Sequence, residues 1–428
     1  MTDGQGKEEQ KGNPGQAEKV ILVGVSTGEQ DDAEESLEEL EELAATAGAL
    51  VAGRILQKRE AVHPGTYIGR GKIQEVLELA ASSGAAGILC DDELTPAQLR
   101  GLEQETQLKV MDRTLVILDI FAKHAVTSEG KLQVELAQLR YRLARLVGLR
   151  SSLSRLGGGI GTRGPGEKKL ETDRRLIKNR IARLNRDLKE IEVHRQVARK
   201  KRMGRAAVTA AIVGYTNAGK STLLNTLTGA SVLSEDQLFA TLDPTTRRME
   251  FSGGRELLLT DTVGFIRKLP HHLVEAFQGT LEEAKYADFI LHVADVSSPQ
   301  LEKQMYIVYE TLQRLGISDK MVITVFNKCD CVSGTVLPGD FRAEHTIGIS
   351  ALTGQGIPEL KKLLEEVLKE RQVLLERLYP YAQAGDIQPL RRYGQILEEE
   401  YRAEGIFIRA YVPREMAWDT ERIGEAND

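Results

Sequence analysis

Gly-Tyr-Thr-Asn-Ala-Gly-Lys-Ser-Thr, from Gly214 to Thr222, is the stretch that decides which fold this chain is expected to adopt. It fits the pattern G-x-x-x-x-G-K-[ST], in which glycines let backbone N–H groups converge on phosphates. Lys220 adds a point charge, and Ser221 offers a hydroxyl to Mg²⁺. An apolar run at 207–213 precedes the stretch and a helical pattern follows it, which is the strand-to-helix context that such a loop requires. The stretch therefore predicts an α/β P-loop domain that binds a nucleoside triphosphate.

A second segment predicts the base. Asn327 to Asp330 reads Asn-Lys-Cys-Asp. Guanine presents an N1–H and an N2–H₂ on one edge, and the carboxylate of Asp330 can accept from both, whereas adenine offers no such pair of donors. Ser350-Ala351-Leu352, at the end of a later apolar strand, fits the loop whose backbone amide contacts guanine O6. GTP is therefore the expected substrate.

Two further segments predict the parts that respond to the γ-phosphate. Asp261 to Gly264 reads Asp-Thr-Val-Gly; we expect Asp261 to reach Mg²⁺ through water and the Gly264 amide to sense the γ-phosphate. Phe239-Ala-Thr-Leu-Asp-Pro-Thr-Thr246 fits the other switch, in which a threonine hydroxyl must reach Mg²⁺. Three threonines are available for this role: Thr241, Thr245 and Thr246.

The predicted site thus combines the phosphate loop, both switches and the two guanine segments. Its nucleotide-binding residues are Gly214, Tyr215, Thr216, Asn217, Ala218, Gly219, Lys220, Ser221, Thr222, Phe239, Ala240, Thr241, Leu242, Asp243, Asp261, Thr262, Val263, Gly264, Asn327, Lys328, Cys329, Asp330, Ser350, Ala351 and Leu352. Within this set the predicted catalytic residues are Lys220, Asp261 and Gly264. Ser221 and one switch threonine are the predicted Mg²⁺ ligands.

The position after Gly264 lacks a side chain that could position water. Many GTPases carry a glutamine there to orient the attacking water. Here Phe265 and Ile266 follow, and neither side chain can donate or accept a hydrogen bond. We therefore expect slow intrinsic hydrolysis, which a partner accelerates by ordering the switches or by supplying a polar group.

Asn217 raises a question about a second cation. An amide oxygen at this point of the phosphate loop can help to hold K⁺ near the β,γ-bridge of GTP, where its charge would stabilise the transition state. A hydrogen bond that stabilises the loop is the alternative interpretation.

Composition indicates a multidomain protein and excludes several classes. The chain has 428 residues, too many for a single core, so two to four domains are expected. Its composition is that of an ordinary globular protein, with 41% hydrophobic and 28% charged residues and a net charge of −6. No run approaches the ~20 apolar residues of a transmembrane helix, and the polar N-terminus does not resemble a secretory signal. Cys90, Cys329 and Cys331 are too few and too poorly spaced for a disulfide framework or a zinc site. We expect a cytoplasmic protein, with peripheral membrane association left open.

Charge is unevenly distributed along the chain. Residues 151–205 hold 17 Lys/Arg and 6 Asp/Glu, a local charge of +11, so the remainder must sum to about −17. Such a segment in an acidic protein favours a polyanionic partner. A solvated helix is the alternative, but the local excess is large enough to favour RNA.

The patterns divide the chain into five parts. Residues 1–18 read as a disordered tail, and alternating strands and helices over 19–118 predict a small N-terminal α/β domain. A helical pattern without interruption from about Val116 to Leu149, a glycine-rich loop at 156–167 and a helix at 169–203 predict a helical hairpin over 119–205. Residues 206–372 predict a doubly wound GTPase domain. The remainder, 373–428, predicts a small α/β appendage with a helix at 390–402 and a strand at 405–411.

These motifs together resemble the HflX GTPases, ribosome-associated translational GTPases related to the Obg group. The resemblance covers roughly residues 20–410. It is carried by residues 214–221, 239–247 and 261–266 and, outside the GTPase domain, by 66–72, 112–122, 131–139 and 157–167. Two departures lie outside the nucleotide site: Gly101 stands where Asn is expected, and Lys168-Lys169 where Thr-Gln is expected.

The resemblance implies both a site assignment and a partner. It implies that Thr241 is the Mg²⁺-binding threonine. It also implies binding to the large ribosomal subunit through rRNA and ribosomal proteins, with GTP binding and ribosome-stimulated hydrolysis used to split or rescue ribosomes under stress. The N-terminal domain and the hairpin would reach towards the peptidyl-transferase region. DNA is not an expected partner, and a monomer is expected.

Two alternatives remain open. The chain could be a regulatory switch whose N-terminal domain binds a non-ribosomal protein. That domain could instead hold a second nucleotide such as ATP, since residues 65–72 supply glycines and a lysine, although they form no complete phosphate loop.

Overall fold

The computed structural model describes residues 17–28, 32–153, 165–203, 208–229, 238–239, 242–270, 273, 278–317, 319–332 and 337–414. The chain divides into two compact units. Met1–Ile120 and Tyr141–Arg174 contribute to the first, and Phe121–Arg140 and Arg175–Asp428 contribute to the second.

The first unit contains a parallel four-stranded sheet. Its strands are β1 (Lys19–Ser26), β2 (Leu50–Lys58), β3 (Gly87–Cys90) and β4 (Lys109–Asp112), in the order β2-β1-β3-β4. The helices α1 (Ala33–Thr46), α2 (Arg70–Ser83) and α3 (Pro96–Thr106) connect them. The inner strand β1 is an apolar run that is buried on both faces, as expected for a parallel sheet covered by helices on both sides. Thr95 caps α3 in a capping box with Gln98.

Gly101, which stands where the resemblance predicts asparagine, has a packing reason to be glycine. A Cβ added there would lie 2.0 Å from the carbonyl oxygen of Gly65. An asparagine therefore could not fit unless the loop that contains Gly65 moved.

A buried ionic cluster joins the end of the sheet to the helices of this unit. Arg113 donates to Asp91 at 2.7 Å, and both side chains are almost fully buried. The neighbouring Asp112 accepts from the hydroxyl of Tyr141 at 2.7 Å and pairs with Arg145. Burial raises the pKa of Asp112, and Arg145 opposes that change. The cluster satisfies charges that would otherwise be costly to bury.

The predicted uninterrupted helix from Val116 to Leu149 is wrong, because the chain forms two helices here. They are α4 (Arg113–His124) and α5 (Ser128–Leu153), and α6 (Pro165–Met203) follows as the second arm of the hairpin. The break has a local cause. The hydroxyl of Thr127 accepts the N–H of Gly130 at 2.9 Å, the arrangement of an N-cap residue, whose backbone is not helical. Most of the predicted glycine-rich loop lies outside the described residues.

The second unit contains the predicted P-loop sheet. Its strands are β5 (Val208–Gly214), β6 (Thr245–Glu250), β7 (Glu256–Asp261), β8 (Phe289–Asp295), β9 (Met321–Asn327) and β10 (His345–Gly348). They lie in the order β10-β9-β8-β5-β7-β6. All neighbours are parallel except β6, which runs antiparallel to β7. The flanking helices are α7 (Lys220–Thr228), α8 (Gln278–Tyr286), α9 (Leu301–Arg314) and α10 (Ile357–Arg371).

A small antiparallel sheet closes the described chain. It consists of β11 (Gln372–Tyr379), β12 (Gln395–Arg402) and β13 (Gly405–Pro413), with β13 in the centre and α11 (Ile387–Tyr393) packed against it. The strand predicted near 405–411 is confirmed, but the helix predicted over 390–402 is wrong. Only its first residues are helical, and β12 pairs with β13 through a register shift between Ile396 and Glu398.

None of the helices in the described ranges is long and apolar enough to span a bilayer.

Candidate functional site

The phosphate loop connects the end of β5 to the start of α7. Gly219 precedes the helix with a φ of 90°, a conformation that costs glycine nothing. Lys220 begins the helix, and its Nζ donates to the carbonyl of Tyr215 at 2.8 Å. Burial lowers the pKa of Lys220 to about 8, while Asp261 acts in the opposite direction. A phosphate group placed in this loop would supply the negative charge that the buried lysine requires.

Ser221 and Asp261 supply oxygen atoms that suit Mg²⁺. The hydroxyl of Ser221 donates to Oδ2 of Asp261 at 2.7 Å, and the Asp261 side chain is fully buried. A hydroxyl and a carboxylate beside a phosphate loop are hard oxygen ligands of the kind that Mg²⁺ prefers together with phosphate oxygens and waters. The residues present therefore fit this cation.

Gly264 lies against the phosphate loop with no room for a side chain. A Cβ at this position would be 2.9 Å from Nζ of Lys220 and 2.9 Å from Cα of Thr216. The next residue fixes this approach, because Phe265 donates its N–H to Gly214 at 3.1 Å and accepts the N–H of Thr216 at 2.8 Å. The second switch, which begins with Asp261 to Gly264, thus continues the pairing of β7 with β5 as far as the phosphate loop.

Phe265 points away from the loop into the core. Its side chain is 2% exposed and packs in an apolar cluster with residues that include Val213, Ile290 and Val308. Ile266 is buried to the same extent. The position after Gly264, where many GTPases carry a glutamine that orients water, is therefore occupied in this protein by a residue of the apolar core.

The guanine segments converge at the other end of the loop. Asn327 donates to the carbonyl of Ala218 at 2.9 Å and accepts the N–H of Ala351 at 2.9 Å, so one amide ties the phosphate loop to the Ser350-Ala351-Leu352 loop. A hydrogen bond from Ser350 lowers the pKa of Asp330, which keeps this exposed carboxyl charged as an acceptor. The side chain of Leu352 is 82% exposed.

The first switch, Phe239 to Thr246, is described only in part. Ala240 and Thr241 lie outside the described residues, whereas Phe239 and Leu242 are buried. Thr245 and Thr246, the other two candidate threonines, lie in β6 opposite Asp261 and Thr260. The hydroxyls of Thr246 and Thr260 are 2.9 Å apart, so Thr246 is engaged within the sheet.

The remaining predicted residues support the loop around these groups. Tyr215 is buried and its hydroxyl accepts the N–H of Arg267 at 2.9 Å, and the hydroxyl of Thr262 donates to Ile212 at 2.8 Å. Asn217 is exposed with a φ of 59°. Thr222 belongs to α7, Val263 is buried, and the thiol of Cys329 points to the carbonyl of Phe326.

Two contributors could not be found from the sequence. Asp295 pairs with Nζ of Lys328 at 2.7 Å, and Thr226 donates to the carbonyl of Ala351 at 2.8 Å. Both act on the guanine segments from distant positions in the chain, and no local pattern marks such partners.

A cavity of about 800 Å³ lies in the first unit at the carboxyl ends of β1 and β2. Asp32, Glu34 and Glu35 line it, beside Lys58 and Arg59. Three acidic residues at the start of α1 oppose a bound phosphate, although a helix N-terminus would otherwise favour one. Residues 65–72 are not among those that line this cavity. The cavity therefore adds no support to a second nucleotide site.

Comparisons with known proteins match the chain in three consecutive segments. A family described as GTP-binding GTPase N-terminal matches residues 34–122, one described as GTP-binding GTPase Middle Region matches 124–202, and one described as 50S ribosome-binding GTPase matches 209–328. Similar proteins include a GTPase HflX of Lacrimispora saccharolytica, 63% identical over 93% of this chain and 94% of that protein. Identity is 48% to a GTPase HflX of Caldanaerobacter subterraneus (93% and 92% covered) and 42% to one of Escherichia coli (90% and 91%). The similarity therefore extends well beyond the P-loop domain.

Proposed function

The chain belongs to the HflX family of GTPases, and from this premise we propose that it binds the large ribosomal subunit and uses GTP to split or rescue ribosomes under stress. The observation that carries the proposal is the exposed basic face of α6. Arg175, Lys178, Arg183, Arg186 and Lys189 are all exposed on this helix. At 3.6 residues per turn they fall on one side, which suits a row of RNA phosphates.

In this proposed cycle, GTP binding and hydrolysis at the nucleotide site determine how long the protein stays on the ribosome. Lys220 holds the phosphates, Asp330 reads guanine, and Ser221 and Thr241 hold Mg²⁺. When bound, Mg²⁺ neutralises charge that develops on the phosphates. Gly264 reports the γ-phosphate through its backbone amide, and the close packing against Thr216 supports this role.

The burial of Phe265 supports the proposed stimulation of hydrolysis by the ribosome. Because this side chain lies in the core, no polar group after Gly264 can orient water from the position that glutamine occupies in many GTPases. The ribosome accelerates hydrolysis either by ordering the switches or by contributing a polar atom that orients the attacking water.

Binding to ribosomal subunits tests the proposal directly. The full chain is sedimented with large subunits in a GTP-analogue state and in a GDP state over a range of salt concentrations. We expect nucleotide-dependent binding that weakens steeply with salt. A triple variant, Lys178→Ala, Arg186→Ala and Lys189→Ala, should lower the salt slope by about 2 to 3 because each phosphate contact contributes roughly 0.7 to 0.9.

The matched control removes three exposed basic residues elsewhere: Lys109→Ala, Arg314→Ala and Lys362→Ala. It changes the net charge equally and should leave the slope as it is in the wild type. Equal losses in both variants would reduce the basic face to a general charge effect. Absence of nucleotide-dependent binding would favour a regulatory switch that acts on a non-ribosomal protein.

We also propose that K⁺ assists hydrolysis through Asn217, whose exposed position and left-handed backbone leave its side chain at the surface of the phosphate loop. Hydrolysis should be faster in KCl than in NaCl, and Asn217→Ala should abolish that difference. Equal rates in the two salts would assign Asn217 a role in loop stability alone.

A further inference from the structure

A residue of the first switch completes the N-terminal cap of a helix in the hairpin. The carboxylate of Asp243 accepts the N–H groups of Val126 at 3.0 Å and Thr127 at 2.9 Å on Oδ2, and the hydroxyl of Thr127 donates to Oδ1. Thr127 at the same time caps α5 by accepting the N–H of Gly130. The hydroxyl of Thr127 therefore links Asp243 of the first switch to the first turn of α5.

Gly130 provides the space that Asp243 occupies. A Cβ at this position would lie 2.5 Å from Oδ1 of Asp243 and 3.2 Å from Oγ1 of Thr127. Helix interiors and first turns disfavour glycine relative to alanine. The glycine thus has a steric reason here that helix formation does not supply.

A second contact holds the switch on the other side of Thr241. The rings of Phe239 and Phe121 meet edge to face with centroids 4.6 Å apart, and Phe239 is 3% exposed. Phe239 and Asp243 each stand two residues from Thr241. The described parts of the switch on both sides of Ala240 and Thr241 are therefore anchored, one through Phe239 and the other through Asp243.

The same segment ends beside the Mg²⁺ ligands. Thr245, two residues after Asp243, pairs with Asp261 in the register of β6 and β7. Asp261 in turn accepts from Ser221. The first switch, anchored through Asp243, therefore continues directly into the strand that pairs with the Mg²⁺-binding edge of the site.

We infer that Asp243, held by Thr127 in the space that Gly130 leaves, is a positioning residue that orders the first switch for binding of Mg²⁺ and GTP. The inference rests on the proposed role of Thr241. Anchoring the segment removes part of the entropy cost of ordering the switch when GTP binds. GDP has no γ-phosphate and makes no such demand, so the contact favours GTP over GDP.

The coupling is reciprocal. If the cap on α5 strengthens GTP binding, then GTP strengthens the cap by the same factor. Nucleotide state is thereby transmitted to the start of the helical hairpin through Val126 and Thr127.

Gly130→Ala is the decisive variant, because alanine favours the helix intrinsically while its methyl group displaces Asp243. Affinities of the full chain for GDP and for a non-hydrolysable GTP analogue are measured with Mg²⁺ and with EDTA. We expect GTP-analogue affinity to fall about tenfold with Mg²⁺, GDP affinity to stay within about twofold, and no difference in EDTA. Thr127→Ala should behave in the same way, whereas Thr127→Ser keeps the hydroxyl and should restore the wild-type preference.

Gly71→Ala is the matched control, since this glycine also lies in the first turn of a helix and a Cβ there meets nothing within 4 Å. A second measurement follows amide hydrogen exchange at Val126 and Thr127. Protection should be greater with the GTP analogue than with GDP, and Gly130→Ala should remove that difference.

Equal losses for GDP and the GTP analogue, or a gain in GTP-analogue affinity, would overturn the inference. Thr241→Ala separates it from the proposed function. If Thr241→Ala leaves the Mg²⁺-dependent preference unchanged, the role of Thr241 fails. If Thr241→Ala removes the preference and both Gly130→Ala and Thr127→Ala retain it, the positioning role of Asp243 alone is wrong.

Discussion

Asp330 has a charged carboxyl at the surface, with Ser350 as a hydrogen-bond donor that keeps its pKa low. Asp330→Asn should lower GTP affinity about 100-fold or more, because two charge-assisted hydrogen bonds to guanine are lost. The variant should instead bind xanthosine triphosphate, whose 2-oxo group accepts from an amide. Direct titration of wild type and variant with fluorescent analogues of GTP and of xanthosine triphosphate measures the change in base preference. The adjacent Cys331→Ser is the control and should retain GTP preference.

Phe265 cannot be converted into a catalytic glutamine. The side chain packs among apolar residues of the core, so Phe265→Gln would bury an amide without partners and cost ~2 to 4 kcal/mol of the free energy of unfolding. We expect no increase in the rate of GTP hydrolysis by the variant alone. Denaturant unfolding and single-turnover hydrolysis measure the two effects. A faster variant would show that the second switch rearranges to bring this residue to the γ-phosphate.

Residue chemistry within contiguous motifs was predictable from the sequence. Both Ser221 and Asp261 were expected near Mg²⁺. Ser221 lies in the first turn of α7, after the loop that follows β5, and it meets Asp261 at the end of β7 because parallel strands bring their carboxyl ends to one edge. The ion pair of Lys328 with Asp295 was not predictable, since it depends on β8 lying beside β9.

The C-terminal sheet contacts the turn of the β6–β7 hairpin, at the end of the hairpin opposite the switches. At its turn, Gln395 donates to the carbonyl of Gly254, and the guanidinium of Arg255 lies 4.2 Å from the ring centroid of Tyr411. The C-terminal sheet thus packs on the turn between the two strands that lead from and to the switches. A local pattern could not reveal this contact, and it misled the prediction of a helix over 390–402, where β12 pairs with β13.

Strand β8 buries a histidine against α9, and this contact predicts how stability depends on pH. His292 is 1% exposed, its ring meets Tyr309 edge-on at 5.0 Å, and burial lowers its pKa to about 4 from 6.5. Between these values the unfolded chain binds a proton that the folded protein does not, so stability falls as pH falls. We expect a loss of about 2 kcal/mol between pH 7 and pH 5 from this group.

His292→Phe should remove that contribution while keeping the edge-on packing. The free energies of unfolding of wild type and variant are compared at pH 7, 6 and 5, which cancels the titration of carboxylates common to both. Parallel pH profiles would show that His292 takes up its proton in the folded protein.

At the scale of the whole molecule, the proposed function couples GTP hydrolysis to ribosome binding in one cycle. The purified protein should hydrolyse GTP slowly, and large ribosomal subunits should accelerate it on the order of 100-fold or more, because an external group completes the site. Turnover is measured with large subunits, with small subunits as the control, and with neither. Fast turnover by the protein alone would contradict the dependence on an activator that the burial of Phe265 predicts.

The sequence by itself determined the chemistry of contiguous segments: the phosphate loop, the guanine reader, the absence of glutamine after Gly264 and the basic excess of α6. These follow from residue type and short spacing, because phosphate and base recognition use neighbouring groups on one loop. Tertiary structure decided the rest. Only packing shows that Phe265 is in the core, that Gly101 leaves room for Gly65, and that Gly130 leaves room for Asp243. Such contacts join residues far apart in the chain, and their energies depend on where the backbone brings them.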